Sequence, residues 1–157
     1  MNHFIHRGYR GKAMVVSIDK LTTVKMYDKV QDHWQRKLDA LRAQLAAASP
    51  VERPHLQDLI AYMETTDMAV VVSHAQHKDA KFKKHGLNVA PPRQRMAKED
   101  LDEKFKKPDD PFRIAFVCAM WRTGFDAPAC STIYLMNYRK PHPQMIGLTL
   151  GILFLEW

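Results

Sequence analysis

The densest concentration of usable chemistry in the chain is Thr123-Gly124-Phe125-Asp126. A threonine hydroxyl among free amides at the carboxyl end of a strand can hold a phosphate. Gly124 lets another backbone or a ligand approach closely, and Asp126 can accept hydrogen bonds from a ribose, an arginine or neighbouring amides. The same four residues also make an ordinary turn. Ser17-Ile18-Asp19 is a second place of interest, because it ends an apolar run. A third is the basic cluster Lys78, Lys81, Lys83 and Lys84, with Arg93 and Arg95 further on. Lys83 and Lys84 in particular are candidate phosphate contacts; the competing reading is a solvated helix face.

Other chemistries lack their parts. Gly8-Tyr9-Arg10-Gly11-Lys12 resembles a phosphate loop only superficially, since its spacing is wrong and it precedes a strand instead of following one. There is no GxGxxG, HExxH or nucleophile elbow, and no zinc-like Cys/His grouping. His74 and His77 are close in sequence but read as exposed polar residues, and Asp109-Asp110 sits in a proline-bounded turn where carboxylates accept local amides. No metal site and no catalytic residue is assigned.

Four short apolar runs and the helices between them must position these residues. Ala13–Ile18, Met68–Ser73, Phe112–Cys118 and Ser131–Leu135 read as strands, the first three without polar alternation. Val24, Tyr27, Gln31, Trp34, Leu38, Leu41 and Leu45 recur at helical spacing, which predicts a helix capped at Asp19 or Thr22 and stopped by Ser49-Pro50. A second helix over Pro54–Thr65 completes a hairpin spanning 20–66. A short helix is expected around Ala80 and Phe82, and a single helix over Arg93–Lys107, with Met96, Leu101 and Phe105 on one side. Strands alternating with helices predict a parallel α/β sheet, whose ligands bind beyond the carboxyl ends of the strands.

Composition agrees with a folded domain: 46% of the 157 residues are hydrophobic and 26% are charged. The excess of 24 Lys and Arg over 17 Asp and Glu gives a net charge of +7, which favours polyanionic partners. Cys118 and Cys130 stand in apolar or small-residue surroundings outside any CxxC pair, which suggests reduced thiols and a cytoplasmic location. The first residues carry no apolar signal-peptide core, and the apolar stretch from Gly147 to Trp157 falls short of the ~20 residues needed to cross a bilayer, so no membrane association is expected.

Several segments, in the same order, resemble the R subunit of type I restriction enzymes, the subunit that moves and cuts DNA. They are residues 8–20, Met26-Tyr27-Asp28-Lys29-Val30, Glu99-Asp100-Leu101-Asp102 with Lys104-Phe105-Lys106, and Pro108–Ile114. The strongest is Phe116-Val117-Cys118-Ala119-Met120-Trp121-Arg122-Thr123-Gly124-Phe125-Asp126-Ala127-Pro128. The resemblance implies that residues 7–136 are part of the second RecA-like domain (P-loop NTPase-type) of a helicase-like motor, with the hairpin as an insertion. Lys12–Ser17 resembles the family's fourth helicase motif and Met120–Asp126 its fifth. By this resemblance Ser17 and Thr123 face the DNA backbone, and Gly124 and Asp126 lie near the nucleotide cleft. Lys12 and Arg122 become candidate phosphate contacts, although Arg122 stands where the family carries an uncharged residue. The family's complexes use ATP and Mg2+, bind double-stranded DNA, and contain specificity and modification subunits.

The resemblance fades after Leu135. Residues 137–157 read as a divergent tail, with no arginine from Ile146 to Trp157 in place of the family's Gln- and Arg-bearing helix. The first RecA-like domain, with its phosphate loop and acidic magnesium motif, is not in this sequence, and neither is the nuclease domain. The expectation is therefore a motor fragment, incomplete at its C-terminus and silent alone, arising from truncation or from a shifted frame near residue 137. In this reading the tail either leaves a sheet edge open or covers it as a strand or helix. The alternatives are an ATP-independent DNA-binding module, a subunit-interaction fragment, and one half of a split motor.

Overall fold

A computed structural model describes residues 11–72, 90–118, 127–136 and 151–154. Within them lie strands β1 (Lys12–Ser17), β2 (Asp67–Val71), β3 (Phe112–Cys118), β4 (Cys130–Met136) and β5 (Gly151–Phe154). The helices are α1 (Lys20–Ala47), α2 (Arg53–Thr65), α3 (Ala90–Lys98) and α4 (Leu101–Lys106). The short helix expected around Ala80 lies outside the described residues.

The strands form one sheet in the order β2-β3-β1-β4-β5, and every pairing is parallel. The fold is thus α/β, with helices against a parallel sheet. β1 is central: Ala13 pairs with Ile114 and Thr132, and Ser17 with Cys118 and Met136. β2 and β3 are buried almost throughout, as unalternating runs of Val, Ile, Ala and Phe require. β4 alternates buried and half-buried residues, so only one of its faces is fully covered. β5 comes from the tail and lies beside β4, with Ile133 opposite Ile152.

Two apolar layers sandwich the sheet. On one face Val24, Val30, Trp34, Leu38 and Leu41 of α1 and Leu59, Ile60 and Met63 of α2 pack on Ala13, Val15, Val70, Ile114 and Phe116. On the other, Leu101 and Phe105 of α4 pack on Met14, Ala69, Val71, Ala115 and Val117. α1 is 28 residues long, about 42 Å at helical rise. Its buried positions end at Leu41. The hairpin is tied together by the Trp34 indole N–H, which donates to the Met63 carbonyl at 3.1 Å, and by Arg42 with Glu64 at 2.7 Å.

Asp19 is the N-cap of α1. Its carboxylate accepts the Thr22 amide at 2.8 Å and the Thr22 hydroxyl at 3.0 Å. Replacing Asp19 by Ala leaves that amide without its acceptor, and should lower stability by about 1 kcal/mol, read as a shift in the urea midpoint.

The single helix expected over Arg93–Lys107 is two. The chain breaks at Glu99-Asp100, where Asp100 caps α4 by accepting the Glu103 amide at 3.1 Å. Asp-x-x-Glu is a helix-start signal, and it outweighs the continuing apolar period.

Candidate functional site

The carboxyl ends of β3, β1 and β4 place Cys118, Ser17 and Met136 side by side in register. All three are buried. Ser17 follows Ala13 and Val15 on the face covered by α1. Its hydroxyl is completely shielded and, among the described residues, has no hydrogen-bond partner. That is unusual, because an unpaired buried hydroxyl costs about 1–3 kcal/mol. The next residue, Ile18, is 57% exposed, although large apolar side chains here are otherwise mostly covered. Asp19 then turns the chain into α1, and its carboxylate occupies the Thr22 amide that an outside anion would otherwise find.

Lys12 stands at the opposite end of the same strand, about 16 Å from Ser17 at strand rise. It is 1% exposed. Its ammonium donates to the Lys104 carbonyl in the last turn of α4 at 2.7 Å and lies 5.4 Å from the centre of the Phe105 ring. A cation at a helix C-terminus and over an aromatic face is favourable on both counts. Burial pushes its pKa below the usual lysine value, partly offset by Asp110. Lys12 and Ser17 therefore lie at opposite edges of the sheet, and Lys12 is engaged in packing α4. The signal was in the strand's parity: Lys12, Met14 and Val16 share one face, the face that α4 covers.

Arg95, grouped by sequence with the basic cluster, is likewise engaged. Its guanidinium pairs with Asp67, donates to the Met68 carbonyl at 3.1 Å, and meets Glu99 at 3.2 Å. The hydrogen bonds to Asp67 raise its pKa further. Lys104, bonded to Glu99 at 2.7 Å, holds that carboxyl below its usual range, helped by Arg95. Asp110 accepts the Phe112 amide at 2.9 Å, a local turn contact. Lys83, Lys84, Arg122, Thr123, Gly124 and Asp126 lie outside the described residues. So do His74 and His77. Among the described residues no group of three or more His, Cys, Asp or Glu is arranged to hold a metal, and no helix is long and apolar enough to cross a membrane.

No family model and no solved structure matches the chain. Two curated proteins do. The chain is 45% identical over 51 residues to the type I restriction enzyme HindI endonuclease subunit of Haemophilus influenzae, a match covering 32% of this chain and 5% of that protein. It is 28% identical over 145 residues to the putative type I restriction enzyme MjaIXP endonuclease subunit of Methanocaldococcus jannaschii, covering 90% of this chain and 11% of that protein. The chain is thus a distant homologue of type I restriction enzyme endonuclease subunits. It spans about a tenth or less of the length of these relatives.

Proposed function

We propose that residues 7–136 are part of the second RecA-like domain of a type I restriction motor subunit, and that the carboxyl edge of the sheet is its working edge. The observation that carries this reading is Ser17. Its buried, unpartnered hydroxyl ends the central strand beside Cys118, the residue from which the chain continues to Thr123, Gly124 and Asp126. A hydroxyl kept at such a cost is suited to donating to a partner during function, here a DNA phosphate that reaches it once the residues shielding it move aside. Thr123 shares that role, and Gly124 and Asp126 link it to the nucleotide cleft. The hairpin of α1 and α2 is an insertion in this domain. In the assembled enzyme the chain would work beside specificity and modification subunits on double-stranded DNA.

ATP and Mg2+ do not fit the residues of this chain by itself. It has no phosphate loop, and its described residues offer no metal cluster. In the whole motor they would be held chiefly by another domain, so this chain alone should be catalytically silent. The +7 charge favours duplex binding without turnover.

Duplex binding and ATP hydrolysis by the purified chain, after a circular-dichroism melt, test the reading. Expected are cooperative melting, salt-dependent DNA binding and no DNA-stimulated turnover. Ser17→Ala should weaken binding about threefold to tenfold, the worth of one hydrogen bond. Its stability should stay within about 0.5 kcal/mol of wild type or rise, because no protein partner is lost. Turnover that co-purifies with the chain would sink the silent-fragment reading, and unchanged DNA affinity in Ser17→Ala would remove Ser17 from the track.

A further inference from the structure

Among the described residues β2 is an edge strand, with β3 as its one sheet neighbour. Edge strands present unpaired amides and carbonyls to any other strand that arrives. The sequence here, Met68-Ala69-Val70-Val71-Val72, makes that hazard acute: it is apolar, rich in β-branched residues, uncharged and free of proline. Yet all five residues are at most 4% exposed, so something covers the edge as well as the faces.

The cover is α3. The Met68 carbonyl accepts a hydrogen bond from Arg95, and the Val72 amide donates to the Met96 sulfur at 3.5 Å. Met68 and Val72 are four residues apart, so their backbone groups point to the same side of the strand, and both are bonded to α3. Two neighbouring helix residues therefore bracket the exposed length of the edge. Met96 also packs against the apolar layers on both faces of the sheet, which a side chain can do only by straddling the edge. Arg95 fixes the helix to the start of β2 as well, since Asp67 and Glu99 share its guanidinium and the Phe112 ring lies 5.8 Å away.

We propose that α3 is an edge guard for β2, held by Arg95 and Met96, and that releasing it lets a second copy of this chain add its own β2 to the opened edge. This inference is independent of the motor reading. It assigns Arg95 and Met96 a role in keeping the free chain from associating with itself.

The test compares the full chain with Arg95→Ala by sedimentation across a concentration series and by hydrogen exchange. Expected for the variant is a cooperative melt, exchange at least tenfold faster over residues 68–72 at low concentration with β1 and β3 unchanged, and an average mass rising from 18.2 kDa toward twice that value as concentration increases, with exchange over 68–72 slowing again as the new strand pairing forms. Wild type should hold the lower mass. Met96→Ala, which spares the ion pairs, should show the same two changes more weakly, and it decides the matter if Arg95→Ala does not fold. A folded variant with wild-type mass and wild-type exchange over 68–72 overturns the proposal. So does association that leaves exchange over 68–72 as fast as in the dilute variant, because the new contact would then lie elsewhere.

Discussion

Trp34→Ala is expected to be the most damaging single truncation in the helical layer, lowering stability by about 3–5 kcal/mol. Trp34 is 7% exposed in the middle of α1 and belongs to the apolar layer shared by both hairpin helices and the sheet. Removing the indole leaves a cavity that two rigid helices cannot collapse into. It also takes the N–H away from the Met63 carbonyl near the end of α2. Trp34→Phe separates the two effects: it restores most of the apolar volume and loses the hydrogen bond, so it should cost about 1–2 kcal/mol. Chemical denaturation of the three proteins checks this. Equal losses for Phe and Ala would show that the hydrogen bond, and not the filled volume, holds the hairpin down.

Lys12→Ala is expected to follow, at about 2–3 kcal/mol. The substitution removes the aliphatic stem that packs beneath α4, and leaves the Lys104 carbonyl without its donor. Lys12→Met keeps the stem and isolates the charge. Because burial lowers the pKa of Lys12 in the folded chain, the unfolded chain binds more protons between that lowered value and 10.5, the ordinary lysine pKa. Stability then rises with pH across this window. Wild type should therefore gain on Lys12→Met as pH climbs toward 10.5, and the two curves should run parallel at neutral pH and below. Tyr27, whose pKa is raised by burial, acts in the opposite sense above 10.0. It is present in both proteins and cancels in the difference. A constant gap from neutral to alkaline pH would mean that the ammonium is not desolvated.

Much of this fold was legible in the residues. Runs such as Met68–Val72 and Ile114–Val117 are short, apolar and bear β-branched residues, which points to strands covered on both faces, and the stripe from Val24 to Leu41 fixes the buried side of α1. Capping chemistry left Asp19 and Thr22 as alternatives, and the structure has Asp19 as the cap. What periodicity could not convey was order across the sheet, because no local pattern records that β1 sits between β3 and β4. The packing partner of Lys12 was hidden for a related reason: the helix that covers its face of β1, α4, lies more than 80 residues further along the chain. Arg95 resembled its basic neighbours because its anchor, Asp67, lies on another element. At the carboxyl edge the sequence singled out Ser17 for its position at the end of the first strand. The missing hydrogen bond, which makes that position notable, is a property of three dimensions.

The central place of β1 also governs the birth of the protein. Both of its partners, Phe112–Cys118 and Cys130–Met136, are made roughly a hundred residues after it. At ribosomal speeds of about 5–20 residues per second, the first strand waits on the order of 5–20 s with neither edge paired. The hairpin of α1 and α2, built from near neighbours in sequence, can assemble at once, and its apolar stripe is then the surface at hand to shelter Ala13 and Val15. For that interval α1 and α2 serve as the chain's own holding device, before they become one wall of its core.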